Sequence, residues 1–218
     1  MRAHRIKLAG TSILSYILLS SLTWAGSGEF TPVENLDKLV EQLNIQAANT
    51  WSIQSRFIQK KQLEVLDETI VSKGRFWFRK ENSLRWAYEE PYEYAIIISG
   101  GKFHIKDGEK VSAYDIESNT AFREINELII GMVRGSVMEK DKFDIKAFEN
   151  EQQYLVKLVP REINMRNVIS NMEIYFDKKD LTVTEIMMKE SESDYTVITF
   201  FDKQTNETIP DPVFTTGY

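Results

Sequence analysis

The chain has 218 residues, with 33 acidic and 27 basic side chains, a formal charge of −6, two histidines and no cysteine. An acidic balance argues against nucleic acid and against residence on anionic lipid, because both require a positive face. Without cysteine there are no disulfides, no thiol nucleophile, no sulfur metal site and no lipid-accepting cysteine behind an export signal.

Arg2, Arg5 and Lys7 precede an apolar stretch over residues 8–22, and the small residues Ala25 and Gly26 follow Trp24. This pattern predicts a secretory signal cleaved after Ala25. The apolar run is shorter than the ~20 residues of a spanning helix, and Thr11, Ser12 and Ser15 dilute it. The segment contains no acid, so losing its three bases moves the formal charge from −6 to −9. Residues 26–204 have the length of one domain, undivided by any Pro, Gly or Ser-rich linker. Residues 205–218 read as a short C-terminal tail.

Over residues 33–48, Leu36, Leu39, Val40, Leu43 and Ala47 recur at intervals of three and four, which predicts an amphipathic helix. Thr31, Pro32 and Glu34 are expected to start it, as capping hydroxyl, first-turn proline and first-turn acid. Alternation then predicts strands over residues 51–66 and 69–80, with a hairpin loop at Asp67 and Glu68. Residues 74–99 hold the densest apolar pattern. Phe76, Phe78 and Lys80 share one face of a strand, and Leu84, Trp86 and Tyr88 share one face of the next. The opposite face of the first carries Arg75, Trp77 and Arg79, a mixed set suited to water or to partial cover. Pro91 ends that pairing, a strand follows over residues 94–99, and Gly100-Gly101 and Asp107-Gly108 mark the turns around two more.

The period changes after Asn119. Phe122, Ile125, Leu128, Ile129, Met132 and Val133 form an apolar stripe that predicts a second helix, loosened at its end by Gly131 and Gly135. Further strands are expected over residues 143–148, 154–160, 170–176, 181–189 and 195–201. The total of about ten or eleven is too many for a strongly twisted sheet to stay flat, so the sheet must curl and enclose an inside. The fold class is therefore α+β, mainly antiparallel β: a strongly curved, incomplete barrel covered by helices.

No catalytic constellation is evident. His4 lies in the signal, and His104, in the alternating run KFHIK, reads as a sheet-surface residue. Glu89 and Glu90, and Glu190, Glu192 and Asp194, fall in predicted loops, where solvated charge is the ordinary state. No phosphate-binding glycine loop is present. The residues imply no metal and no cofactor. The expected cavity lining is Ile53, Phe57, Phe76, Phe78, Leu84, Trp86 and Tyr88 from the sheet, faced by Phe122, Ile125, Ile129 and Met132 from the second helix. An ordinary aromatic core under helices would carry the same pattern.

The order Phe57-Ile58-Gln59, Gly74 before an aromatic strand, then Leu84-Arg85-Trp86, Tyr88 and Pro91 resembles the LolA family of periplasmic lipoprotein carriers. The resemblance runs from about Val33 to about Phe201. It implies a curved antiparallel sheet closed by lid helices over an apolar cavity that holds acyl chains of lipoproteins. Implied partners are acylated lipoproteins as cargo, an inner-membrane exporter that loads the carrier and an outer-membrane acceptor that unloads it. It also implies a monomeric, non-enzymatic periplasmic chaperone with only transient membrane contact. In that family an arginine and a proline follow the aromatic strand, and the arginine holds the lid by its backbone carbonyls. Lys80 and Glu81 stand at the matching positions, so Lys80 is the expected lid latch. Lysine can donate to a carbonyl but lacks the planar fork of arginine. Two other roles fit the same resemblance: carriage of another lipid or a polyene pigment, and a lipid- or envelope-stress-sensing domain.

Overall fold

The computed structural model describes residues 28–66, 68–80, 83–116, 131, 138 and 140–218. Its strands are β1 (Thr31–Pro32), β2 (Ser52–Gln62), β3 (Ile70–Arg79), β4 (Ser83–Glu90), β5 (Tyr94–Ser99), β6 (Lys102–Asp107), β7 (Lys110–Asp115), β8 (Phe143–Glu149), β9 (Gln153–Pro160), β10 (Asn171–Asp177), β11 (Val183–Lys189) and β12 (Tyr195–Thr205). The helix α1 (Leu36–Asn49) lies between β1 and β2, a single turn α2 (Ile163–Arg166) between β9 and β10, and a 3-10 turn (Asp211–Phe214) in the tail.

All twelve strands form one sheet in the order β1-β8-β9-β10-β11-β12-β2-β3-β4-β5-β6-β7, and every neighbouring pair is antiparallel. Two meanders, β2 to β7 and β8 to β12, are joined where β12 pairs with β2. The sheet is open, since β1 and β7 are its two edges.

The core demonstrates the curvature. Leu39 and Leu43 of α1 belong to one buried cluster with Phe57, Phe76 and Leu84 from one meander and Val156, Met172 and Ile174 from the other. One helix of 14 residues can share a core with both halves only if the sheet bends around it.

Two expectations are corrected. The helix does not start at Thr31. Its N-cap is Asn35, whose Oδ1 accepts from the Lys38 N–H at 2.9 Å. Thr31 and Pro32 instead form β1 against Glu149 and Phe148. This strand is the twelfth, beyond the ten or eleven expected, and a proline at a sheet edge loses nothing because its missing N–H is not needed there. The second correction concerns the outer face of β3. Trp77 is only 7% exposed. It packs with Ala87, Ala95 and Ile97 under Ile209, Val213 and Phe214, so the tail builds a second core on the convex side. Of the second expected helix, only Gly131 is described, as a buried helical residue.

Candidate functional site

The concave face of β2, β3 and β4 is built by register. Phe76 pairs with Trp86, Phe78 with Leu84 and with Ile53, and Phe57 and Tyr88 both stand opposite Gly74. The glycine leaves the space that the Ala87 carbonyl and the Phe57 ring fill. Phe57 meets Trp86 with ring centroids 5.0 Å apart and Tyr88 at 5.3 Å, edge-on. Phe76 meets Trp86 at 5.3 Å. Such tilted and edge-to-face contacts each add about 1 kcal/mol beyond the area that they bury.

Ile53, Phe57, Phe76, Phe78, Leu84 and Trp86 are all buried, and Tyr88 is half-buried at the end of the cluster. Phe200 of β12 completes it, 6.3 Å from Phe76 and 6.0 Å from Trp86. Alternation alone did not reveal Phe200. It joins because β12 pairs with β2 and sets Phe200 opposite Phe57, a contact between residues 143 positions apart in sequence. Phe122, Ile125, Ile129 and Met132, expected to face this cluster, lie outside the described residues.

Two polar groups sit among the rings. The Tyr88 hydroxyl donates to Gln59 Oε1 at 2.9 Å, and burial pushes its pKa above the ordinary phenol value. The Trp86 indole nitrogen is buried without a hydrogen-bond partner among the described residues.

Lys80 lies one residue past β3, at the C-terminal end of α1, where its Nζ donates to the carbonyl of Ala48. A cation there satisfies a carbonyl left open by the helix end and meets the negative pole of the helix dipole. Glu81, the other position of interest, is outside the described residues.

On the opposite meander, a groove of about 770 Å³ lies between Leu36, Phe143, Ile145 and Val159, with Lys140, Lys146, Lys157 and Arg161 around it. None of the expected lining residues that are described belongs to it. Among the described residues no three His, Cys, Asp or Glu side chains group as a metal site. No described helix is long and apolar enough to cross a membrane. His104 pairs with Ile97 and Ala113 in the sheet, and its Nδ1 is buried without a partner among the described residues.

Residues 48–217 match the family model described as outer membrane lipoprotein carrier protein LolA. The chain belongs to the LolA family. A LolA-family relative, the outer-membrane lipoprotein carrier protein of Methylococcus capsulatus, is 28% identical over 165 residues, 72% of this chain and 73% of the relative. Among solved structures, the MucA/MucB complex of Pseudomonas aeruginosa aligns with a TM-score of 0.51 at 10% identity, over 82% of this chain and 61% of that one. A LolA superfamily protein from Nitrosomonas europaea aligns with a TM-score of 0.44 at 11% identity, over 82% and 98% respectively. At such identities the structural likeness bears on the fold alone. LolA membership and the carrier relative support a lipid- or lipoprotein-binding role.

Proposed function

We propose that this LolA-family chain is a non-enzymatic periplasmic chaperone that shelters the acyl chains of lipoproteins and ferries them from the inner to the outer membrane. The observation that carries this reading is the aromatic concave face of Phe57, Phe76, Trp86 and Phe200, set in a chain matched by a lipoprotein-carrier family model. An acyl chain exposed to water costs about 0.8 kcal/mol per CH₂, so moving two or three chains between membranes requires a large apolar shelter. Release needs that shelter to close again once an acceptor competes for the chains. The Lys80 contact to the end of α1 is suited to favour the closed state. An inner-membrane exporter would load the carrier and an outer-membrane acceptor would unload it. The domain would act after export, with residues 1–25 removed as a signal and residues 26–204 forming the carrier, roofed on its convex side by the tail of residues 205–218.

Native mass spectrometry of the protein purified from its own periplasm tests the reading. The expected result is a population carrying the mass of an acylated lipoprotein, absent when Trp86→Ser and Phe57→Ser are combined. A population carrying free lipid or a pigment, and never a lipoprotein, would replace the cargo. Protein isolated with no bound amphiphile under any loading condition would overturn the carrier reading altogether.

A further inference from the structure

The β2–β3 hairpin outruns the strand beside it. β3 begins at Ile70, yet the last residue of β4 paired with it is Glu90, opposite Lys73. Ile70, Val71 and Ser72 therefore have β2 on one side and, among the described residues, no strand on the other. Backbone direction along β3 follows from one bond. The Lys80 N–H donates to the Trp51 carbonyl, one step beyond the Ser52 to Arg79 pairing, and the β2–β3 register is unbroken from there to Ile70. Backbone groups alternate sides along a strand, so even-numbered residues face β2 and odd-numbered ones face away. Val71 thus turns its N–H and C=O toward the side that β4 has left.

The side chains at this end are unusually apolar for a surface. Val65 is 86% exposed in the hairpin loop, Val71 45% and Ile70 42% on the open strand end, and Tyr92 81% in the β4–β5 turn at the same end of the sheet. The charge around them is negative only on balance, because Lys60, exposed and opposite Val71, also forms no ion pair among the described residues. Lys73 and Arg75 are already held by Glu90 and Glu89. Glu64, Glu68 and Glu93 are exposed and form no ion pair among the described residues. Natural sheets blunt an open edge with proline, a bulge or an inward-pointing charge, and the segment Ile70-Val71-Ser72 has none of these.

We propose that this overhanging edge is a docking surface for a partner protein, which adds an extended segment of alternating apolar and basic residues as a strand beside Val71. Main-chain pairing would supply the register, Val65, Val71 and Tyr92 the apolar contact, and the unpaired glutamates the preference for a basic partner. The same carboxylates disfavour an anionic bilayer. The surface lies outside the aromatic cluster, so it stands or falls independently of the cargo.

A fluorescent synthetic peptide of alternating valine and lysine, titrated against the exported protein and followed by anisotropy, tests this. Saturable binding that weakens with added salt is expected. Val71→Pro should weaken it about ten-fold or more, because proline removes the one outward N–H while leaving the bonds to β2 intact. Its urea midpoint serves as the folding control, and if that variant unfolds, Tyr92→Ser combined with Glu93→Lys carries the same expectation. Three results would overturn the proposal: equal affinity in the variants, equal binding of an alternating valine–glutamate peptide, or loss in the variants of binding to phosphatidylglycerol vesicles rather than to the peptide. A concentration-dependent dimer that Val71→Pro abolishes would also overturn it, in favour of a second copy of the chain.

Discussion

At Gly74 a Cβ would stand 2.0 Å from the Ala87 carbonyl oxygen and 2.9 Å from Cζ of Phe57. The first is backbone and cannot swing aside, so even alanine must push β4 away from β3 at the irregularity between Lys73 and Gly74. Gly74→Ala is expected to cost about 3 kcal/mol, read as a lowered urea midpoint with an unchanged slope. Lys80 is the opposite case, an exposed side chain with one bond among the described residues, to Ala48. Lys80→Leu should change stability by less than about 1 kcal/mol. Its larger effect would be on function. If Lys80 latches the closed carrier as proposed, removing its bond favours the loaded state, so cargo transfer to acceptor membranes should slow while loading persists. Transfer at the wild-type rate would remove Lys80 from the latch role. At this scale the sequence was informative about faces, because alternation places Phe76 with Phe78 and Trp86 with Tyr88 whatever the strands pair with. It was silent on Phe200, whose partners come from a strand far away in sequence.

The tail is the element whose importance sequence hides. Pro210 and Pro212 interrupt any period, and the stretch contains one 3-10 turn. Yet Phe214 is 4% exposed, and Arg85, 6% exposed, donates to the carbonyls of Thr215 at 3.0 Å and Tyr218 at 2.9 Å. Burial pulls the Arg85 guanidinium below its usual pKa. The Arg79 guanidinium stacks 4.9 Å from the Phe214 ring and donates to the Ile209 carbonyl at 3.0 Å. Arg79, which alternation places on a face suited to water or partial cover, and Arg85 are thus the clamps that fasten the tail over Trp77. Phe214→Ala should cost about 3 kcal/mol and expose the Trp77 ring to a soluble quencher such as acrylamide. Full stability together with a still-shielded tryptophan would mean that the tail is not a structural cover. The helix α1 was easier to read, since Leu39, Leu43 and Ala47 at intervals of four are the residues that it buries. Its start was misread because a threonine and a proline before a helical pattern resemble a cap, and only pairing with β8 shows them to be a strand.

Across the whole molecule, the chain crosses from one edge of the sheet to the other by joining β12 to β2, so its first long strand is completed by its last. The bend that follows brings both meanders onto α1. Export is the other property at this scale. If the signal is removed as proposed, the intact mass of the periplasmic protein should correspond to a chain beginning at Gly26, and a mass that includes Met1 would sink that proposal. The sequence by itself determined the strand and helix periods, the apolar faces, the lack of thiol chemistry and the family likeness, because these depend on side-chain spacing and composition along a short stretch. Only the tertiary structure decided that Phe200 joins the aromatic cluster, that the tail roofs a second core, that Lys80 reaches the end of α1 and that the hairpin edge at Val71 has no strand beside it among the described residues. Each of these depends on which strands lie side by side, and a strand's hydrophobic pattern records which face it buries but not the neighbour to which its backbone is bonded.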